Sequence, residues 1–136
     1  MSFIHHPVFK ALFDAPIPRI ILKADPPNFT ILRYNMAYQK ISGLHHRDVI
    51  GWHLMEAFDP KKAGIFDDRY LLDMLEKSLK TNKPITTEPF RFDVTFQNLD
   101  VFVEKWWQID ILPFDGTVTQ PLFLLLTAID VTEAKV

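Results

Sequence analysis

A chain of 136 residues suits one domain, able to bury roughly two thirds of the surface its unfolded form exposes, so it needs no covalent staple. It contains no cysteine, which excludes disulfides, thiolate metal sites, a cysteine nucleophile and thiol-linked cofactors. Its formal charge of −2, scattered along the chain, offers no concentrated basic face to nucleic acid. The 12 Phe, 3 Trp and 3 Tyr could build a core, line a ligand cavity or form a partner surface, and composition does not separate these uses. His5, His6, Lys10, Asp14 and early prolines interrupt any signal-peptide core, and no later run approaches membrane-spanning length, so the expected setting is cytoplasmic.

The apolar spacing of FIHHPVFKALF predicts a short amphipathic helix from about Pro7 to Phe13, with Pro7 in its first turn and Pro16 and Pro18 beyond its end. IPRIILKAD then reads as a strand, Pro26, Pro27 and Asn28 as a turn, and FTILRYN as the returning strand. MAYQKIS is a two-turn helix that Asn35 caps at the front and Gly43 at the back. HRDVIG adds a helical turn closed by Gly51, and residues 52 to 66 read as loop and short helix. DDRYLLDMLEKSLKTN has an acidic start, a stripe of Leu71, Leu72, Leu75 and Leu79, and Lys80 near its end, which together predict a long helix. In EPFRFDVTF, Phe90, Phe92, Val94 and Phe96 alternate with Arg91, Asp93 and Thr95, the pattern of a strand with one wet face. Strands over 103 to 113 and 121 to 129 complete the chain, and Asp130, Thr132 and Glu133 bring capping chemistry to its exit.

This order is satisfied most economically by an α+β architecture, with five antiparallel strands, helices grouped over one face, and the N-terminal amphipathic helix added. Together with its local words, it resembles a PAS domain. Those words are Asn35, Ala37 and Gly43 in YNMAYQKISG, the RDVIG step ending at Gly51, the helix LLDMLEKSLKTNKP, the Trp106 to Pro113 spacing and the terminal DVTE. The resemblance spans residues 17 to 133 and implies a sensory or dimerising module of signalling proteins such as sensor histidine kinases, cyclic-dinucleotide enzymes or transcription regulators. The corresponding division is an amphipathic cap over 1–15, a PAS-like domain over 16–133 and the start of a signalling helix at 134–136.

Strand parity points Trp107, Ile109 and Ile111 inward and Trp106, Gln108, Asp110 and Leu112 outward. Both faces of 122–129 are apolar. Taking Phe123, Leu125, Thr127 and Ile129 as the inner set leaves Leu122, Leu124, Leu126 and Ala128 uncovered outside. The expected pocket is therefore lined by Phe58, Leu75, Phe92, Trp107 and Thr127, and suits an uncharged or weakly polar small molecule or a packed core without one. The expected homodimer interface joins Phe9, Leu12 and Phe13 of the N-terminal segment to Leu122, Leu124 and Leu126. By the resemblance, Asp130 and Thr132 form the relay joint to an output domain such as a histidine kinase.

The resemblance leaves the cofactor open. The adduct-forming cysteine of its light-sensing, flavin-binding branch and the thioester cysteine of the photoactive-yellow-protein type are both missing. The haem branch typically places a histidine on the long helix, and residues 67 to 82 contain none, so haem and covalent flavin are disfavoured. Noncovalent flavin could stack on Trp52 or Trp107. The pairs His5–His6 and His45–His46 lack the three- or four-residue helical spacing of a metal site and read as solvated or capping residues, so no metal is expected. Two alternatives stand beside the sensory module: a ligand-free dimerisation scaffold, and a small enzyme of the ketosteroid-isomerase type using a buried Asp110 of raised pKa. No Ser-His-Asp grouping, phosphate-cradling glycine loop or metal triad supports another catalytic class, and the expectation is a non-enzyme.

Overall fold

The computed structural model describes residues 7–41, 48–54, 68–92, 94–95, 102–114 and 122–133. Helix α1 covers Pro7–Phe13, as the apolar spacing predicts. The central sheet contains β1 (Arg19–Lys23), β2 (Ile31–Tyr34), β7 (Trp106–Phe114) and β8 (Phe123–Asp130), with the short strands β3 (Ile85–Thr86) and β4 (Phe90–Arg91) at its far edge. The order across it is β2, β1, β8, β7, then β3 and β4 side by side along β7, and the pairings are antiparallel. The last strand therefore lies at the centre, between the first strand and the one before it. Helices α2 (Met36–Ile41) and α3 (Asp68–Thr81) occupy the crossover between the two halves of the sheet.

Local chemistry explains the element ends. The stripe of α3 buries Leu71, Leu75 and Ser78, spaced four and three apart, and the Ser78 hydroxyl donates to the Lys83 carbonyl at 2.7 Å. Asn82, in the left-handed region at φ 52°, ends the helix where glycine is usual. Gly51 has φ 89°, and its N–H donates to the Ile31 carbonyl at 2.7 Å while the Ile31 N–H donates to Trp52 at 2.8 Å. The 50–53 segment thus lies along the open edge of β2 and bridges Thr30 to His53.

The strand expected over EPFRFDVTF keeps one register along its described residues. Phe90 is buried and Phe92 packs against the same core, as parity predicts. Phe90 and Arg91 stand opposite Trp107 and Trp106, the Phe92 N–H donates to the Lys105 carbonyl at 2.9 Å, and Val94–Thr95 (β5) pairs in the same register with Phe102–Val103 (β6). Between β3 and β4, Thr87 keeps the edge joined to β7: its N–H donates to the Ile109 carbonyl and its hydroxyl accepts from the Ile109 N–H, each at 2.9 Å. Phe96 and Asp93 lie outside the described residues.

Register settles the faces of β8 and corrects the expected assignment. Residues opposite one another in an antiparallel pair share a face, and Ile109 and Ile111 stand opposite Ala128 and Leu126. Leu124, Leu126 and Ala128 therefore point inward, into one core with Ile20, Leu22, Leu71, Leu75, Trp107, Ile109 and Ile111. Phe123, Leu125 and Thr127 face outward. The outer face is covered in part by the chain's own N-terminal helix, since Phe13 packs with Ile21 and Phe123.

One buried side chain ties α1, β1 and α2 together. The Asn35 amide donates to the carbonyls of Phe13 at 2.6 Å and Ile17 at 2.7 Å, and its oxygen accepts from the N–H groups of Arg19 at 3.0 Å and Tyr38 at 2.9 Å. The Tyr38 bond is the helix cap expected from sequence; the other three are tertiary. Asn35→Ala should cost about 3 kcal/mol, because several buried backbone groups lose their partner at once. Leu124→Ala should cost about 2–5 kcal/mol as a core truncation. Urea denaturation measures both, and a near-neutral Leu124 variant would return that residue to the surface.

Candidate functional site

Three of the five expected pocket residues meet in the inner core. Leu75 from α3 and Trp107 from β7 are buried, Phe92 packs against them, and the Trp107 indole N–H donates to the Phe92 carbonyl at 2.9 Å. Thr127 does not join them: it stands on the outer face, where its hydroxyl accepts from Arg19 Nε at 3.3 Å. That is the consequence of the corrected β8 parity. Phe58 lies outside the described residues, as do both histidine pairs. Sequence reasoning missed Tyr38, which packs against this core and whose hydroxyl pKa is pushed up by burial. Its position three residues after the Asn35 cap was the available signal.

The expected relay residues form a compact network at the exit of β8. Asp130 Oδ1 accepts from the Thr132 N–H at 3.0 Å and from its hydroxyl at 2.6 Å, while Oδ2 accepts from the Lys105 ammonium at 2.9 Å. The Thr132 hydroxyl oxygen also accepts from the Trp106 N–H at 2.9 Å, and the Val131 N–H donates to the Trp106 carbonyl at 2.8 Å. The end of β8, the residues after it and the start of β7 are therefore fastened at one point. Partial burial raises the Asp130 pKa, but the hydrogen bonds from Thr132 and the Lys105 charge outweigh it and hold the carboxyl below its usual value.

The expected interface residues separate. Leu12 and Leu122 are exposed, Phe13 is buried against its own sheet, and Leu124 and Leu126 belong to the inner core, so these two cannot meet a partner in the folded domain. The side chain of Phe9 lies outside the description. Outward-facing Leu112 and Leu125 instead join Leu12, Phe13, Arg19 and Phe114 around a groove of 310 Å³ on the outer face. Leu112 was legible as outward by parity, whereas Arg19 and Phe114 carried no signal.

Asp110 is exposed on the outer face and accepts from the Thr86 hydroxyl at 2.8 Å. It is not the buried carboxylate that the isomerase alternative requires. Among the described residues no cluster of potential metal ligands occurs, and no helix is long and apolar enough to cross a membrane.

An antiparallel sheet with its last strand central and helices in the crossover over the inner face defines an α+β sheet-and-helix class. The family model for the PAS fold matches residues 17–136, and the chain belongs to the PAS family. Its fold is similar to that of an RNA-binding light-oxygen-voltage receptor (TM-score 0.71, 16% identity, covering 94% of this chain and 33% of that one). It is also similar to the PAS domain of a protein from Colwellia psychrerythraea (TM-score 0.67, 15% identity, 91% and 93% covered). A third similar fold is the LOV domain of a blue-light activated histidine kinase from Erythrobacter litoralis (TM-score 0.60, 12% identity, 86% and 97% covered). The chain thus spans only a third of the first of these proteins. No curated protein matches it by sequence.

Because its folded pKa is depressed, Asp130 contributes stability that is complete above the usual carboxylate range and is lost as pH falls through the folded value. Wild type should be more stable than Asp130→Asn at about pH 7, and the gap should narrow by about pH 3. Urea denaturation of both proteins at the two pH values checks this; a gap independent of pH would mean that the carboxylate charge is not what holds the joint.

Proposed function

We propose that this domain is a non-catalytic, cytoplasmic sensory module that holds a small, weakly polar molecule or a protein partner against its inner face and relays the change through the Asp130–Thr132 joint to an output domain. The observation that carries this reading is the fastening of Asp130, Thr132 and Trp106 at the exit of a strand central to the sheet. One face of β8 is packed in the main core through Leu124, Leu126 and Ala128, so a change of packing around Leu75 and Trp107 bears on that strand. At its end the strand meets a few specific hydrogen bonds rather than a large apolar contact. Losing one cap-like bond costs about 1 kcal/mol, small beside a typical stability of about 5–15 kcal/mol but equal to the coupling energies that bias a switch.

The similar fold in a blue-light activated histidine kinase supports a kinase-type output as the first to test. In a protein carrying this domain ahead of a histidine kinase, Asp130→Ala should alter basal or stimulated autophosphorylation about fivefold, the equivalent of about 1 kcal/mol, while the domain stays folded. Radiolabelled phosphate incorporation reads the output and circular dichroism reads the fold. An unchanged output with a folded domain would sink the relay; an unfolded domain would make the joint structural.

A further inference from the structure

The outer face of the sheet has a feature that the sensory reading does not use. The 310 Å³ groove runs beside the C-terminal end of α1, walled by Leu12, Phe13, Leu112, Phe114 and Leu125, with Arg19 the one charged residue among the described lining. Leu12 is 61% exposed and Leu112 44%, although a chain with this much apolar surface could have covered them. The Phe114 and Phe123 rings, 5.6 Å apart, stand on the neighbouring row of the same face.

Arg19 is unusual for a half-buried cation. Its Nε donates to Thr127 at 3.3 Å and a terminal nitrogen donates to the Leu12 carbonyl, so its partners are neutral. Neither Asp14 nor Asp110 forms an ion pair with it among the described residues. Other N–H groups of the guanidinium fork remain available to an anion. The nearest cations cluster with it. Arg19 and Lys23 lie on the outward register of β1, and Arg33 stands opposite Ile21; of the acids on this face, Asp110 lies two strands from Arg19 and accepts from Thr86, and Glu104 is paired with Arg91. The cations of β1 and β2 around the Arg19 end of the groove favour an anionic occupant.

We propose that this groove binds an amphipathic organic carboxylate, its apolar body against Leu112, Phe114 and Leu125 and its carboxylate on the Arg19 guanidinium. The groove has the size of the smaller ligand sites, about 300–1,000 Å³, and matches their usual make-up of apolar walls with few polar anchors. A neutral hydrocarbon would leave the guanidinium unpaired. A polyanion would bring more charge than one cation satisfies and place it against leucine and phenylalanine. Because Leu12 and Phe13 belong to α1 and Leu112, Phe114 and Leu125 to the sheet, the bound molecule bridges the N-terminal helix to β7 and β8. It would hold that helix down without touching the inner core.

The test titrates octanoate into the full chain, with 1-octanol as the uncharged probe of the same length, and follows backbone amide shifts by NMR. Octanoate should saturate by about 1 mM, moving the amides of Leu112, Phe114 and Leu125, and 1-octanol should bind at least tenfold more weakly. Arg19→Gln should weaken octanoate at least tenfold. Since Arg19 also holds the Leu12 carbonyl, Leu112→Glu provides a second variant that keeps Arg19 and sets an acid against the ligand; it should abolish binding with a native spectrum. The proposal is overturned if octanoate does not saturate, if shifts centre on Leu75 and Trp107, or if Arg19→Gln and Leu112→Glu bind as wild type does. It is equally overturned if sedimentation shows a stable dimer that buries the groove, which would make a second copy its occupant.

Discussion

Burying a single primary amide, that of Asn35, places four backbone segments relative to one another. Its side chain meets the end of α1, the turn after it, the start of β1 and the first turn of α2. Its own N–H also donates to the Arg19 carbonyl at 3.1 Å. A buried amide is tolerated only when donors and acceptors are both matched, and no buried side-chain polar atom among the described residues is left without a partner. That condition is geometrically strict, so α1 is held over the outer face in one position. The placement of Phe13, and with it the covered part of that face, follows from it.

The second constraint is the central position of β8. A strand with neighbours on both sides and apolar side chains on both faces is buried as few elements of a small domain are. Its inner residues close the main core, and Phe123 closes the smaller cluster under α1. Such a strand is coupled mechanically to everything around it, and the Asp130 network sits where it leaves the sheet. The carboxylate there is held by a hydroxyl, a backbone N–H and an ammonium, contacts that are individually modest and directional. The two faces of this one strand also separate two roles: the inner core lies against the helices, and the outer groove lies against the N-terminal segment.

Much was legible in the chain. The α1 bounds, the Asn35 cap, the leucine stripe of α3 and the parity of β7 all follow from local periodicity and turn chemistry, which depend on neighbours a few residues away, and the PAS architecture was legible as a resemblance in the order of the elements and their local words. Asp130 and Thr132 were legible as residues with capping chemistry, which acts over two or three residues, but their bonds to each other, to Lys105 and to Trp106 were not. The strand after Pro89 was legible from its periodicity, since the continuous alternation of EPFRFDVTF is matched by one register against residues 102 to 107. The short edge strand Ile85–Thr86 was not, because its two residues carry no periodicity and it exists only through its pairing with β7.

The two faces of β8 show where local information ends. Phe123 and Leu125 are as apolar as Leu124 and Leu126, so alternation carried no sign, and only the register against Ile109 and Ile111 decided which set enters the core. Thr127 moved out of the expected pocket and Leu124 and Leu126 out of the expected interface for that single reason. The groove beside Arg19 likewise needs the end of α1, the first strand and the seventh to meet, and no spacing within the chain records that meeting. The sequence by itself determined the longer elements and their caps, because these rest on contacts between near neighbours, and it carried the family as a resemblance in its local words. Tertiary structure alone decided which face is which and where the outer cavity lies, because these rest on pairings across about a hundred residues.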